Sequence, residues 1–206
     1  MRLFSLKSSL QIKRDQILTA TGLIVIVALG WGYMIHVARG MDLNMSIAMP
    51  QFMPWNWVDW WSMFLMWTVM MVAMMVPSAT PTILIYAMVN RSRKQNSLAY
   101  VSTSIFLSGY LISWIAFSLV ATVGNWAIYT QGLLTGMMGS ITSNILGACL
   151  LISAGIFQWT PFKYACLTHC RTPMGFIMTE WKEGKLGAIK MGIKHGGYCV
   201  ACCWLL

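Results

Sequence analysis

Apolar residues gather into four runs along the chain, 17–37, 59–89, 98–123 and 139–158, separated by stretches where the polar and charged residues collect. Within each run the apolar pattern is nearly continuous and does not alternate with polar positions, so the runs read as helices apolar on all sides. Each reaches the roughly 20 residues that a helix needs to cross a hydrocarbon core of about 30 Å. A fifth run opens at Tyr198 and covers the nine residues to Leu206, which at a rise of about 1.5 Å per residue span only about 13 Å. The second run contains Pro77 and Pro81. Each proline removes a backbone N–H and kinks the helix, leaving the carbonyls of Ala73 and Pro77 in need of partners. Hydroxyls such as those of Ser78 and Thr80 are the nearest replacements. The pattern predicts an all-α, polytopic transmembrane bundle of four full spans plus the start of a fifth, forming one integral membrane domain over residues 1–206.

Composition agrees. The chain is 58% hydrophobic and 9% charged, against about 25% charged residues in ordinary soluble domains. A net charge of +9 would suggest nucleic acid in a soluble protein, but here it marks loops, so the expected partner is the lipid bilayer and nucleic acid is not expected. Arg2, Lys7, Lys13 and Arg14 precede the first run; Arg91, Arg93 and Lys94 follow the second; Lys163, Arg171, Lys182, Lys185, Lys190 and Lys194 follow the fourth. Arg39 alone falls on the other side. The positive-inside rule then predicts a cytoplasmic N-terminus, a cytoplasmic 90–97 loop and a cytoplasmic segment over 159–197. The first span is too long for a signal peptide and lacks a small-residue cleavage pattern. Within 176–194, Phe176, Trp181, Ile189 and Ile193 alternate with Lys182, Lys185, Lys190 and Lys194, a pattern suited to a helix on the anionic inner leaflet. Gly184 and Gly187 work against it.

Into this frame the chain places eighteen methionines and six cysteines. Met63, Met66, Met70 and Met74 follow the spacing of one helical stripe, with Met71 and Met75 on the neighbouring one. Upstream, Met41, Met45, Met49 and Met53 recur at every fourth position, but Pro50 and Pro54 push Met49 and Met53 off helical angles. Met41 and Met45 are the pair left to share a face, on the outer side, beside a belt of Trp55, Trp57, Trp60 and Trp61. Two readings compete. Methionine fills irregular gaps between helices; its thioether is also a soft ligand that selects Cu(I). A methionine-rich loop leading straight into a methionine-rich helix favours the ligand reading, since packing demand in a loop is weaker.

Cys166, His169 and Cys170 lie at i, i+3 and i+4, so one helical turn projects all three to one side. Cys199 and Cys202 form a C-x-x-C pair extended by Cys203, with His195 four residues earlier. Near a reducing compartment such clusters point to metal binding or redox chemistry, not disulfides. Zn, Cu(I) and an iron–sulfur cluster all suit the donors, and the plain alternative is interfacial packing with the histidines satisfying local backbone groups. Cys149, alone in the fourth run, reads as a small hydrophobe.

The stretches MWTVMMVAMMVPSATP (66–81), FQWTPFKYACLTHCRTPMGF (157–176) and GIKHGGYCVACCW (192–204) together resemble the bacterial family of predicted metal-binding integral membrane proteins. The resemblance covers most of 60–204. It implies a multi-pass protein of the bacterial inner membrane that binds metal, and members that continue past the CCW motif through a further span.

Catalytic patterns are sparse. No Ser/His/Asp arrangement, phosphate-cradling loop or pair of intramembrane carboxylates occurs, and Asp15, Asp42, Asp59, Glu180 and Glu183 all lie outside the span centres. An ion-coupled transporter would carry an ionisable residue at mid-membrane. Asp59 reads as a helix N-cap. The leading expectation is therefore a non-enzymatic protein that takes up, delivers or sequesters Cu(I). Met41 and Met45 would capture the ion, Met63, Met66, Met70 and Met74 would pass it along, and Cys166, His169, Cys170, His195, Cys199, Cys202 and Cys203 would hold it. The alternative is an accessory subunit of a larger membrane oxidase or monooxygenase complex with a structural Zn site. A thiol–disulfide enzyme built on Cys199 and Cys202 ranks last, its thiols being on the wrong side for oxidative folding.

Overall fold

The computed structural model describes residues 2–44, 54–95, 101–135, 140, 141 and 144–204, with side chains over most of them from Ile17 onward. Seven helices follow in order: α1 (Arg2–Asn44), α2 (Trp57–Gln95), α3 (Thr103–Thr130), α4 (Asn144–Gln158), α5 (Pro161–Arg171), α6 (Pro173–Glu180) and α7 (Gly184–Cys203). A two-residue antiparallel pair, β1 (Leu134–Thr135) with β2 (Ser140–Ile141), links α3 to α4. Among the described residues, three segments are long and apolar enough to cross a membrane: Ile17–His36, Trp57–Arg93 and Thr103–Thr130.

The start of α2 is a reciprocal cap. Asn56 Oδ1 accepts the Val58 N–H at 2.7 Å, and Asp59 Oδ2 accepts the Asn56 N–H at 2.8 Å. Asp59 therefore acts from the third helical position, with Asn56 as the capping residue. The helix runs unbroken through both prolines. The neighbouring hydroxyls do not serve the Ala73 and Pro77 carbonyls as the sequence suggests; Ser78 Oγ donates to Met75 at 2.8 Å and Thr80 Oγ1 to Val76 at 2.9 Å.

α3 begins five residues later than the apolar run. Buried Asn90 bonds both the carbonyl and the N–H of Val101, which fixes the α2–α3 turn and starts the helix after Ser102. α2 and α3 then lie antiparallel, with Tyr86 stacked on Phe106 at 4.6 Å near one end and Trp60 against Trp126 at 5.6 Å near the other.

The last third of the chain departs most from expectation. The apolar run 139–158 yields only a 15-residue helix, because the strand pair takes its start. The stretch 176–194 does not form one surface helix. Gly184 adopts φ +78°, a left-handed conformation that suits glycine, and breaks the chain between α6 and α7. A Cβ on Gly187 would stand 2.6 Å from the Lys182 carbonyl oxygen, so α7 closes tightly on that turn. α7 is one 20-residue helix that joins the lysine-bearing stretch to the run opening at Tyr198. Lys185 is exposed in the first turn and Lys190 and Lys194 on the outer face, and the inner face packs along α3 in place of lipid.

Small residues make that packing possible. A Cβ on Gly192 would sit 2.2 Å from the Phe106 carbonyl oxygen, one on Gly109 would sit 2.4 Å from that of Ile189, and one on Gly196 would sit 2.7 Å from Ser113. Ser113 Oγ also donates to the Ile193 carbonyl at 3.0 Å. α3 and α7 thus run in the same direction in backbone contact, the approach that van der Waals packing between apolar helices rewards where hydrophobic burial offers little. Residues 157–183 run back along α7 the other way. Phe157 meets Trp204 at 5.8 Å, His169 stacks on Tyr198 at 4.3 Å, Phe176 meets His195 at 5.1 Å, and Glu183 pairs with Arg93. The segment expected over 159–197 is therefore no separate appendage: it and α7 lie against the spans, up to the level of Met75, midway along Trp57–Arg93.

Adding one methyl at Gly192 or Gly109 should cost about 1–3 kcal/mol by forcing the helices apart. Gly32 has nothing within 4 Å of its Cβ position, so Gly32→Ala should be neutral or up to about 1 kcal/mol stabilising. Thermal unfolding of the detergent-solubilised protein checks this; equal melting of Gly192→Ala and Gly32→Ala would contradict the packing.

Candidate metal centre

α5 and α7 bring together the sulfurs of Cys170, Cys199 and Cys202, all within 4.8 Å of one another. The residues come from separate sequence motifs. Thr160 starts α5: its Oγ1 accepts the Lys163 N–H at 3.4 Å and Pro161 occupies the first turn, a pairing that suits a helix N-terminus. Running antiparallel to α7, α5 then delivers Cys170 near its last turn. Cys199 and Cys202 are one helical turn apart on the inner face of α7, 4% and 2% exposed. A metal with bonds to sulfur of about 2.3 Å holds its thiolates about 3.8–4.6 Å apart, so the trio is already close to a coordinating arrangement.

The other predicted donors fall into distinct positions. Cys203 Sγ lies 3.4 Å from Cys202 Sγ but outside the mutual trio, half-buried on the adjacent face. Cys166 is buried one turn before Cys170. His169 faces away: its ring lies on Tyr198 and Nδ1 is 3.0 Å from the Ala165 carbonyl oxygen. His195 is buried a turn before Cys199 among aromatic rings and stands apart from the trio. Glu180 and Lys194 pair at 2.7 Å on the surface below, the bond holding the carboxyl below its usual range and the ammonium above its own.

The methionine stripe does not stay on one environment. Met63 is buried, Met66 and Met70 are half-buried, and Met74 is 47% exposed. The neighbouring stripe turns inward: Met75 belongs to the same buried cluster as Cys199, and Met71 packs against it. The side chain of Met41, and Met45 entirely, lie outside the described residues.

One residue at the centre escaped the sequence reading. Tyr110 of α3 is fully buried; its hydroxyl donates to the Met75 carbonyl at 3.0 Å and lies 3.5 Å from Cys199 Sγ. α2, α3 and α7 meet at this oxygen. A tyrosine in an apolar run carries no pattern that announces such a role.

Together these features define, among the described residues, a predominantly helical protein with three membrane-length apolar helices and a thiol cluster suited to a soft metal. A profile of the PpoB2 copper chaperone family matches residues 64–206, from α2 to the end, and the chain belongs to that family. The metal-binding family expected from the three motifs is thus one that handles copper. No curated protein and no solved structure matches the chain.

Serine at Cys170, Cys199 or Cys202 should each weaken Cu(I) binding by more than the roughly 10–100-fold that loss of a supporting second-shell contact costs. Cys149→Ser, on the exposed face of α4, should leave it unchanged. Competition with a Cu(I) chelator reads both; an equal loss in Cys149→Ser would contradict the assignment.

Proposed function

We propose that this protein is a membrane copper chaperone that carries Cu(I) as cargo on Cys170, Cys199 and Cys202 and passes it to an acceptor. The observation that carries the reading is the convergence of three thiols from α5 and α7, Cys199 and Cys202 buried and Cys170 half-buried, within the region matched to a copper chaperone family. Three sulfurs suit Cu(I), a soft ion content with few ligands, whereas structural zinc closes a tetrahedron of four. The burial of Cys199 and Cys202 limits the access of water and hard donors that would favour other ions. Copper reaches the trio along α2, where the inward-turned Met71 and Met75 offer weak, exchangeable thioethers; Met63, Met66 and Met70 lie further up the same helix. Met41 and Met45 belong to the outer end of this route. The gradient from thioether to thiolate favours movement from the Trp-rich end of the bundle to the thiols. By the distribution of lysine and arginine, that end is periplasmic and the basic end cytoplasmic.

The neighbouring sulfur of Cys203, 3.4 Å from that of Cys202, supports a second reading: a four-thiolate structural zinc site in a subunit docked to a larger membrane complex.

Metal analysis of protein purified in detergent separates the two. The chaperone reading predicts about one copper per chain, lost in Cys199→Ser and retained in Cys203→Ser. It also predicts slower loading in Met71→Leu/Met75→Leu, with little change in Met74→Leu. Stoichiometric zinc that requires Cys203 would replace it with the structural reading.

A further inference from the structure

The buried face of α7 carries more donors than the thiol trio uses. Met191, His195, Cys199 and Cys202 stand at i, i+4, i+8 and i+11, and all are at most 4% exposed. Such spacing stacks side chains on one face, one turn above another. They run from the turn that carries Lys182 to the thiols at the level of Met75.

His195 is the least explained of them. It is 2% exposed, and its Nδ1 has no hydrogen-bond partner. The rings of Phe176, Tyr110 and Phe106 stand 5.1, 5.8 and 6.3 Å from its own. A buried nitrogen without a partner costs about 1–3 kcal/mol, and ordinary packing offers no return for it. A wholly apolar side chain would occupy the same box without that cost. One turn below, the Met191 thioether is held in place by the Lys182 N–H, which donates to Sδ at 3.3 Å. An imidazole nitrogen, a ligand that suits copper, and a soft thioether on consecutive turns are a donor pair for a low-coordinate Cu(I).

We infer that His195 Nδ1 and Met191 Sδ form a second Cu(I) station, an exchange site between the buried thiol trio and the basic end of the bundle. This inference rests on the reading of the trio as a Cu(I) site and adds the path by which the ion leaves or reaches it. Cu(I) moves without change of oxidation state: the bonds to Cys170 and Cys202 are released, the bond to the Cys199 sulfur is exchanged for one to His195 Nδ1, a bond to Met191 Sδ completes the pair, and each thiolate left behind takes up one proton from water. The trio lies midway along α2, buried from the basic surface, so ligand exchange in single-turn steps replaces a jump of the bare ion through an apolar interior.

The test uses the full-length protein in nanodiscs with Cu(I) as the probe. Affinity is first measured with one equivalent, then the rate of transfer to an anionic, water-soluble Cu(I) chelator. His195→Phe, which keeps an aromatic ring in the box, and Met191→Leu should leave affinity within about threefold and slow transfer about tenfold or more, a barrier change of roughly 1.4 kcal/mol or above. With the trio filled, a second equivalent should shift the ¹⁵N resonances of His195 in the wild type and do so less in Met191→Leu. Unchanged transfer rates, or an unshifted imidazole, would overturn the station while leaving the trio standing. A wild type that binds no Cu(I) at all would remove both the station and the reading beneath it.

Discussion

The arrangement depends on the backbone contact between α3 and α7. Helices in an apolar medium gain little from hiding hydrophobic side chains, so what holds them is close, continuous van der Waals contact. Gly109, Gly192 and Gly196 allow that contact because none of them has a side chain to keep the partner away. The consequence reaches the metal centre directly. With the two backbones touching, Tyr110 lies within reach of Cys199, and its hydroxyl spans to the Met75 carbonyl on α2. A wider separation would leave the thiols of α7 facing lipid or an empty seam, with α5 unable to bring Cys170 to them.

The same contact explains why the site is buried. α7 doubles back from the Gly184 turn and runs alongside α3, carrying its cysteines away from the lysine-rich end. Residues 157–183 follow in the opposite direction. The C-x-x-C pair and the CLTHC turn, remote in sequence, thereby meet at one level. Burial favours a soft ion bound through sulfur over hydrated hard cations, and it also slows exchange unless donors continue along the way. The methionines of α2 on one side and His195 with Met191 on the other are placed where such donors are needed.

Much of this was legible in the residues. Three of the four expected spans, the helix start near Asp59 and the approach of the two cysteine motifs follow from hydrophobic runs, turn chemistry and the preference of clustered thiols for metal, whereas the fourth run gave only a 15-residue helix and Asn56 took the capping position. Other parts were hidden for identifiable reasons. Continuous hydropathy does not reveal which face of a helix looks inward, so the stripe of Met63, Met66, Met70 and Met74 drew attention while Met75 and Met71 turned to the core. The lysines of α7 resembled those of a surface helix because an exposed basic face looks alike whether lipid or α3 covers its opposite side. His169 matched ligand spacing, and in the structure its ring stacks on Tyr198, outside the thiol trio. Nothing along the chain marked Tyr110, whose role arises only where three helices cross.

Copper K-edge X-ray absorption on the full-length protein loaded with one equivalent of Cu(I) addresses the central claim most directly. A trio of thiolates predicts a Cu(I) edge and a shell of three sulfurs near 2.3 Å, a distance typical of thiolate bound to a metal of this size. A first shell dominated by nitrogen or oxygen, unaltered when Cys199 is replaced by serine, would contradict it.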